Sequence, residues 1–220
     1  ETLAGRIAYL ELTPLLIPEL PKKNSVEELW LLGGFPDAFL GKIPHGTWME
    51  NFIRNYLERD LPMLGFPGNR TTAQKLWSML AHIHGSTLNY HDLSRSLEVS
   101  SPTIKRYVDF LESAFLVRQL QPYYMNIGKR LVKAPKVYLR DSGTLHHLLN
   151  ITDMNDLIGH PRSGASWEGF VIEQIASLMP DHCRLFFFRT HQGAELDLVI
   201  EKGGKPFAGI EIKLGSDIRP

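Results

Sequence analysis

Near the C-terminus, Gly193-Ala194-Glu195-Leu196-Asp197-Leu198-Val199-Ile200 is followed, past Gly203-Gly204, by Gly209-Ile210-Glu211-Ile212-Lys213. An Asp…Glu-x-Lys pattern of this kind suits divalent-metal-assisted hydrolysis of a phosphodiester. Asp197 and Glu211 offer hard oxygen ligands of the sort that Mg²⁺ or Mn²⁺ prefers. A metal held between them and a phosphate would activate a water and neutralise developing charge. Lys213 would orient that water or stabilise an oxygen of the reacting phosphate. Glu168, in the first turn of a helix upstream, would complete the metal set of Asp197, Glu211 and Glu168. Glu195 is an outer or alternative ligand, and His191-Gln192 lies just before the strand, where it could touch phosphate.

Strand geometry is what would bring these groups together. Side chains alternate faces with a period of two, so Glu195 and Asp197 share one face, with Leu196, Leu198 and Ile200 on the other. Glu211 and Lys213 likewise share a face, opposite Ile210, Ile212 and Leu214. A charge interrupting a buried strand is costly unless it is paired or bound to a metal. The competing reading is structural, since exposed edge strands carry Glu and Lys and cross-strand pairs merely stabilise a sheet. Ser166 is expected to cap the helix that carries Trp167, Phe170, Val171 and Ile175 inward. Strands are expected at 183–189, 194–201 and 206–214, and a helix followed by three strands opens a nuclease-type α/β core.

Upstream, residues 1–20 read as a strand over 7–12 and a proline-punctuated arm. Ser25 with Glu28 forms a capping box for a helix ending at Gly33-Gly34. Residues 47–61 carry Trp48, Phe52 and Tyr56 on one helical stripe, and Leu61-Pro62 ends that helix. Helices then span Thr72 to His84, a short stretch through Leu97 capped by Asn89, and Thr103 to Leu116, the last opened by Ser101-Pro102 with Ile104, Val108, Leu111 and Phe115 inward. Two strand-like segments follow, Val117 to Met125 and Lys136 to Leu139. Three helices and a hairpin are the order of a winged helix-turn-helix. Its recognition helix would present Lys105 and Arg106, and its wing Lys129, Arg130 and Lys133 beside Tyr123 and Tyr124. That is a local basic footprint for nucleic acid, and winged helices also serve as protein-docking modules.

Composition bounds the rest. Lys+Arg and Asp+Glu number 24 each in 220 residues, so net charge is zero and any nucleic-acid surface must be local. The only cysteine, Cys183, excludes an internal disulfide and is expected as a buried structural thiol in a reducing compartment, most simply the cytoplasm. No apolar stretch is long enough to span a membrane as a helix. The nine histidines, His82, His84, His91, His146 and His147 among them, lack Cys or acidic partners at zinc spacing. No phosphate-binding loop for ATP is written in the chain. Opening at Glu1 without methionine, it reads as part of a longer protein.

Several stretches together resemble one family. Leu3-Ala4-Gly5-Arg6, Leu10-Glu11-Leu12-Thr13-Pro14-Leu15 and Leu32-Gly33-Gly34-Phe35-Pro36 look like the end of an AAA-type ATPase module of prokaryotic proteins. The similarity continues through Asn55-Tyr56-Leu57-Glu58-Arg59-Asp60, Tyr138-Leu139-Arg140-Asp141-Ser142-Gly143, Trp167-Glu168-Gly169-Phe170-Val171 and Gly193-Ala194-Glu195-Leu196-Asp197. Those proteins carry a C-terminal domain of unknown function that resembles PD-(D/E)xK, restriction-endonuclease-like nucleases. The resemblance implies catalytic roles for Glu168, Asp197, Glu211 and Lys213, and basic positions near the ATPase at Arg6 and Arg59. ATP would bind only in the N-terminal domain that this chain lacks, and the elements after the Glu-x-Lys strand are missing.

The expected architecture is therefore α+β and multidomain. Residues 1–69 form the end of an ATPase module and a helical connector. Residues 70–150 form a winged helix-turn-helix, and 160–220 a restriction-endonuclease-like α/β domain, incomplete at its C-terminus. The leading expectation is Mg²⁺- or Mn²⁺-dependent cleavage of DNA or RNA, coupled in the parent to ATP. The alternatives are a non-catalytic DNA- or protein-docking module and an assembly domain for ATPase oligomers. Expected partners are nucleic acid, the parent's own ATPase domain and a second copy of the chain, with no membrane.

Overall fold

The computed structural model describes residues 5–8, 10–123, 134–190 and 193–215. Local signals set most of the helices. Ser25 and Glu28 cap α1 (Val26–Leu32) reciprocally, and Pro36 opens the short α2 (Pro36–Phe39). Helix α3 (His45–Asn55) passes through a wide π turn at Tyr56–Asp60 into α4 (Leu61–Met63). The helix thus runs past Pro62 instead of ending there. A wide turn just before the ring relieves its clash with the preceding carbonyls. Asn69 caps α5 (Arg70–His82), and β1 (Ser86–Thr87) follows. Asn89 caps α6 (Tyr90–Leu97), and Ser100, one residue earlier than expected, caps α7 (Ser101–Ser113).

After α7 come β2 (Val117–Pro122), β3 (Lys136–Leu139), α8 (Ser142–Leu148) and α9 (Met154–Gly159). Helix α10 (Ser163–Leu178) then leads to β4 (Cys183–Arg189), β5 (Glu195–Lys202) and β6 (Lys205–Ile210). All six strands form one mixed sheet in the order β1-β3-β2-β4-β5-β6. Only the β2–β4 neighbours are parallel, and they are joined by two register pairs, Gln121↔Phe186 and Pro122↔Phe187. That narrow seam connects the three-helix half to the C-terminal half.

The two faces of β2 and β3 are buried against different layers. Val117, Val137 and Leu139 pack with Leu76, Trp77, Leu80, Ile104, Val108 and Leu111 of α5 and α7. Leu120 and Tyr138 turn the other way, to Ile172 of α10, Phe187 and Leu198. Residues buried on both faces explain why all four positions of β3 are inaccessible. A third cluster joins Leu29 and Trp30 to Leu157 and Phe170.

Further expectations are corrected. The described residues of 7–12 form no strand, and Leu10 and Leu12 are 93% and 97% exposed. Phe115 is exposed at φ +60°, its ring under the Arg140 guanidinium, because α7 ends at Ser113 and Leu116 takes the inward place. Cys183 is half-buried, not enclosed.

Ser166 is not a cap either. It lies inside α10, where its oxygen accepts the Trp30 indole N–H (2.9 Å) and meets His146 Nε2 (2.7 Å). His146 Nδ1 stands 2.8 Å from the Leu31 carbonyl. With Nδ1 donating to that carbonyl, the Ser166 hydroxyl must donate to Nε2, and a neutral imidazole completes the chain. His84 is equally enclosed, and its Nδ1 accepts the Leu139 N–H at 3.0 Å. Gly169 of α10 lies directly against the His84 ring, so a Cβ there would overlap Nε2.

Burial drives both imidazoles toward the neutral form, lowering His84 to about 3 and His146 to about 4. Below the unfolded value near 6.5, the unfolded chain binds protons that the native state refuses, so stability is lost as pH falls. Each histidine contributes a slope of about 1.4 kcal/mol per pH unit in that window. The urea midpoint should therefore drop between pH 7 and pH 5, and His146→Asn should flatten the drop; an unchanged slope would exonerate His146. Gly169→Ala should destabilise by about 1–3 kcal/mol through overpacking, read from chemical denaturation.

Candidate functional site

Lys136 and Tyr138 project from β3 toward α10, and the carboxylates singled out in the sequence gather around them. Lys136 Nζ lies 2.7 Å from Glu195 Oε1, 3.0 Å from Glu168 Oε1 and 3.9 Å from Asp197 Oδ1. The Tyr138 hydroxyl donates to the same Glu168 oxygen at 2.5 Å. Asp197 Oδ2 accepts the Ile212 N–H at 2.7 Å, and Glu195 also faces Arg189 at 3.6 Å. The lysine side chain is only 4% exposed. Burial alone would lower its pKa, but Glu168 and Glu195 outweigh it and hold the ammonium above its ordinary value. Burial raises Glu168 in turn, against the opposing pull of Lys136 and Tyr138.

Glu168 and Asp197 thus come together as their spacing suggested; Glu211 and Lys213 do not join them. The reason is a bulge. Phe186 pairs with Val199 and Phe188 with Leu196, so Asp197 and Leu198 both stand opposite Phe187. An extra residue in one strand breaks the alternation. Asp197 and Leu198 both turn toward α10, whereas Leu196 and Val199, three residues apart, line one apolar groove on the other side with Phe207 and Gly209. Beyond β6 the expected alternation continues, and Ile210 and Ile212 pack into the α10-side core. Glu211 and Lys213 consequently face away, 60% and 77% exposed, and pair with each other at 2.9 Å.

The residues present do not fit a divalent metal. Mg²⁺ needs near-octahedral oxygens at about 2.0–2.1 Å, and here an ammonium stands among the three carboxylates. Of the set Asp197, Glu211 and Glu168, the third oxygen donor, Glu211, is on the wrong face. Sequence reasoning missed Lys136 and Tyr138. The available signal is a lysine opening the apolar run Lys136-Val137-Tyr138-Leu139, where a buried charge demands a partner.

A second buried cluster lies along α10. Glu173 receives the Arg118 guanidinium in a two-point contact and Arg140 Nε at 3.0 Å, while Arg140 Nη2 reaches Glu11 in the N-terminal arm. Asp141, next in sequence, accepts the Gly34 N–H (2.8 Å) and the Thr144 N–H (2.7 Å). Burial raises its pKa, opposed by those hydrogen bonds. Gly33-Gly34 and Asp141-Ser142-Gly143, distant in sequence, therefore meet for a structural reason.

Among the residues expected to touch nucleic acid, Lys105 and Arg106 lie on the exposed side of α7. Lys105 is paired with Asp109 at 2.7 Å, and Arg106 makes no ion pair with a described residue. Along the same stripe as Lys105, Asp109 and Glu112 accept from the Gln119 amide, and the Tyr90 hydroxyl donates to its carbonyl oxygen, fixing α7 to β2. Lys129, Arg130, Lys133, Tyr124, His191 and Gln192 lie outside the described residues. Arg6 and Arg59 are exposed, the latter 4.0 Å from Asp60.

Fold and site define a mixed α+β protein in which three helices and a strand pair share a sheet with a helix and three-stranded meander. The chain belongs to the family described as Domain of unknown function (DUF8612), whose model matches residues 23–155. Residues 163–220 match a second model, Domain of unknown function (DUF4143), a domain found in proteins associated with AAA ATPases. The chain is 44% identical over 215 residues to the uncharacterized proteins Rv2008c of Mycobacterium tuberculosis and Mb2031c of Mycobacterium bovis. That alignment takes in 97% of this chain and 48% of each relative, so the chain spans about half their length. A solved structure, the transcriptional regulator PA3341, covers 60% of this chain and 93% of its own at 22% identity, with a TM-score of 0.26, too loose a superposition to argue from. No described helix is long and apolar enough to cross a membrane.

Glu173→Ala should strand Arg118 and leave Arg140 with Glu11 alone. Removing one partner of a buried ion cluster typically costs about 3–5 kcal/mol, so the variant should melt far below the wild-type chain in a thermal scan. A melting temperature close to wild type would show the cluster to be dispensable.

Proposed function

We propose that this chain is a nucleic-acid-docking module whose nuclease-like half is a non-catalytic brace. The observation that carries the reading is the open face of α7. Lys105 and Arg106 stand on it, beside the strand pair that leads toward the basic stretch with Lys129, Arg130 and Lys133. A cationic helix face together with a basic stretch of the chain offers phosphate contacts without needing a basic whole-molecule charge. The clamp of Gln119 on Asp109 and Glu112 supports the same reading, because it fixes α7, and with it Lys105 and Arg106, in place on the sheet. The catalytic alternative loses support from the bulge and from Lys136. In the longer proteins that contain such a chain, ATP binding would belong to the other half, and this module would present nucleic acid to it in the cytoplasm.

Fluorescence anisotropy with labelled duplex DNA and structured RNA, run across a salt series, tests the proposal. Affinity should fall with rising salt, and Lys105→Glu/Arg106→Glu should weaken binding about tenfold or more. Each lost phosphate contact should also shrink the log–log salt slope by about 0.9. Binding that is unaffected by the double variant would remove α7 from the contact surface. With Mg²⁺ or Mn²⁺ and plasmid, cleavage abolished by Asp197→Ala would instead restore the catalytic alternative.

A further inference from the structure

We infer that Lys136 is the resident cation of the carboxylate cluster, an internal ammonium standing in place of a divalent metal. This assignment rests on the non-catalytic part of the proposed function and is independent of whether α7 binds nucleic acid.

Each of the three carboxylates already has an oxygen committed to a donor of the chain. Glu168 Oε1 receives both Lys136 Nζ and the Tyr138 hydroxyl, Glu195 Oε1 receives Nζ, and Asp197 Oδ2 receives the Ile212 amide. A metal would have to strip these donors and then sit beside a fixed positive charge. Nor can the lysine easily swing aside. It is the first residue of β3, held by pairing to Thr87 on one side and Leu120 on the other, and its ammonium lies 5.5 Å from the centre of the Phe187 ring. Three elements far apart in sequence, β3, α10 and β5, each contribute a charged side chain to the cluster. The ammonium neutralises carboxylates that would otherwise repel one another, the task a bound ion performs in a metal site.

Deleting the ammonium should leave Glu168, Glu195 and Asp197 as an unneutralised trio with the hard-oxygen chemistry that divalent ions favour. Mn²⁺ titration without nucleic acid, followed by loss of the free-ion EPR signal and by thermal melting, provides the test. Wild type should bind no Mn²⁺ at the cluster, and its melting temperature should not respond to the metal. Lys136→Met should melt lower in metal-free buffer, then gain one Mn²⁺ with a rise in melting temperature. Adding Asp197→Asn to that variant should abolish the gain. Stoichiometric, Asp197-dependent Mn²⁺ binding by wild type would overturn the inference, as would a folded Lys136→Met that binds none. Should Lys136→Met not fold, Lys136→Gln takes its place, and the wild-type titration decides in either case.

Discussion

Helix α10 lies on a sheet face that contains three buried or nearly buried cations, Lys136, Arg118 and Arg140, and its seating depends on neutralising them. Glu168 and Glu173 do so at two points along the helix, with Ile172 between them in the apolar core. Charges removed from water are tolerated only when paired and hydrogen-bonded, so any shift of α10 along the sheet would uncover at least one of them. The β2–β4 seam is too short to align the two halves unaided. The ion pairs supply specificity where the backbone ladder is thin, and Gly169 lets the helix approach closely enough to form them.

The same constraint accounts for stretches that look functional in the sequence. Asp141 is spent on Gly34 and Thr144, and Arg140 on Glu173 and Glu11. Tyr138 and Glu168 serve one another. Residues that would draw attention as a dispersed active site are, in this chain, mutual partners across element boundaries. The exposed side of α7 is different, for there Arg106 lacks an ion-pair partner among the described residues.

Much of the local structure was legible. The Ser25–Glu28 box, Asn89 as a cap, and the apolar spacing of Leu76, Leu80, Ile104, Val108 and Leu111 each act within a turn or two of chain, where sequence and geometry are tightly coupled. The meeting of Glu168 with Asp197 was also legible, because a charge in an apolar strand demands a partner. What escaped depends on the partner strand or the wider fold. Nothing within Leu196-Asp197-Leu198 announces that Phe187 will face two residues at once. The same holds for Lys136, whose burial follows from β3 being covered on both faces, and for the described residues of 7–12, which join neither edge of the sheet.

The bulge at Asp197–Leu198 has a consequence for how such a chain changes over evolutionary time. In an unbulged ladder, Asp197 would lie across from Glu211 on the same face, as strict alternation requires. Losing the bulge would therefore exchange one partner for another, because Asp197 on the Glu211 face would leave Glu168 and Lys136 on the α10 side. A single insertion or deletion within β5 would decide which of the two faces Asp197 serves.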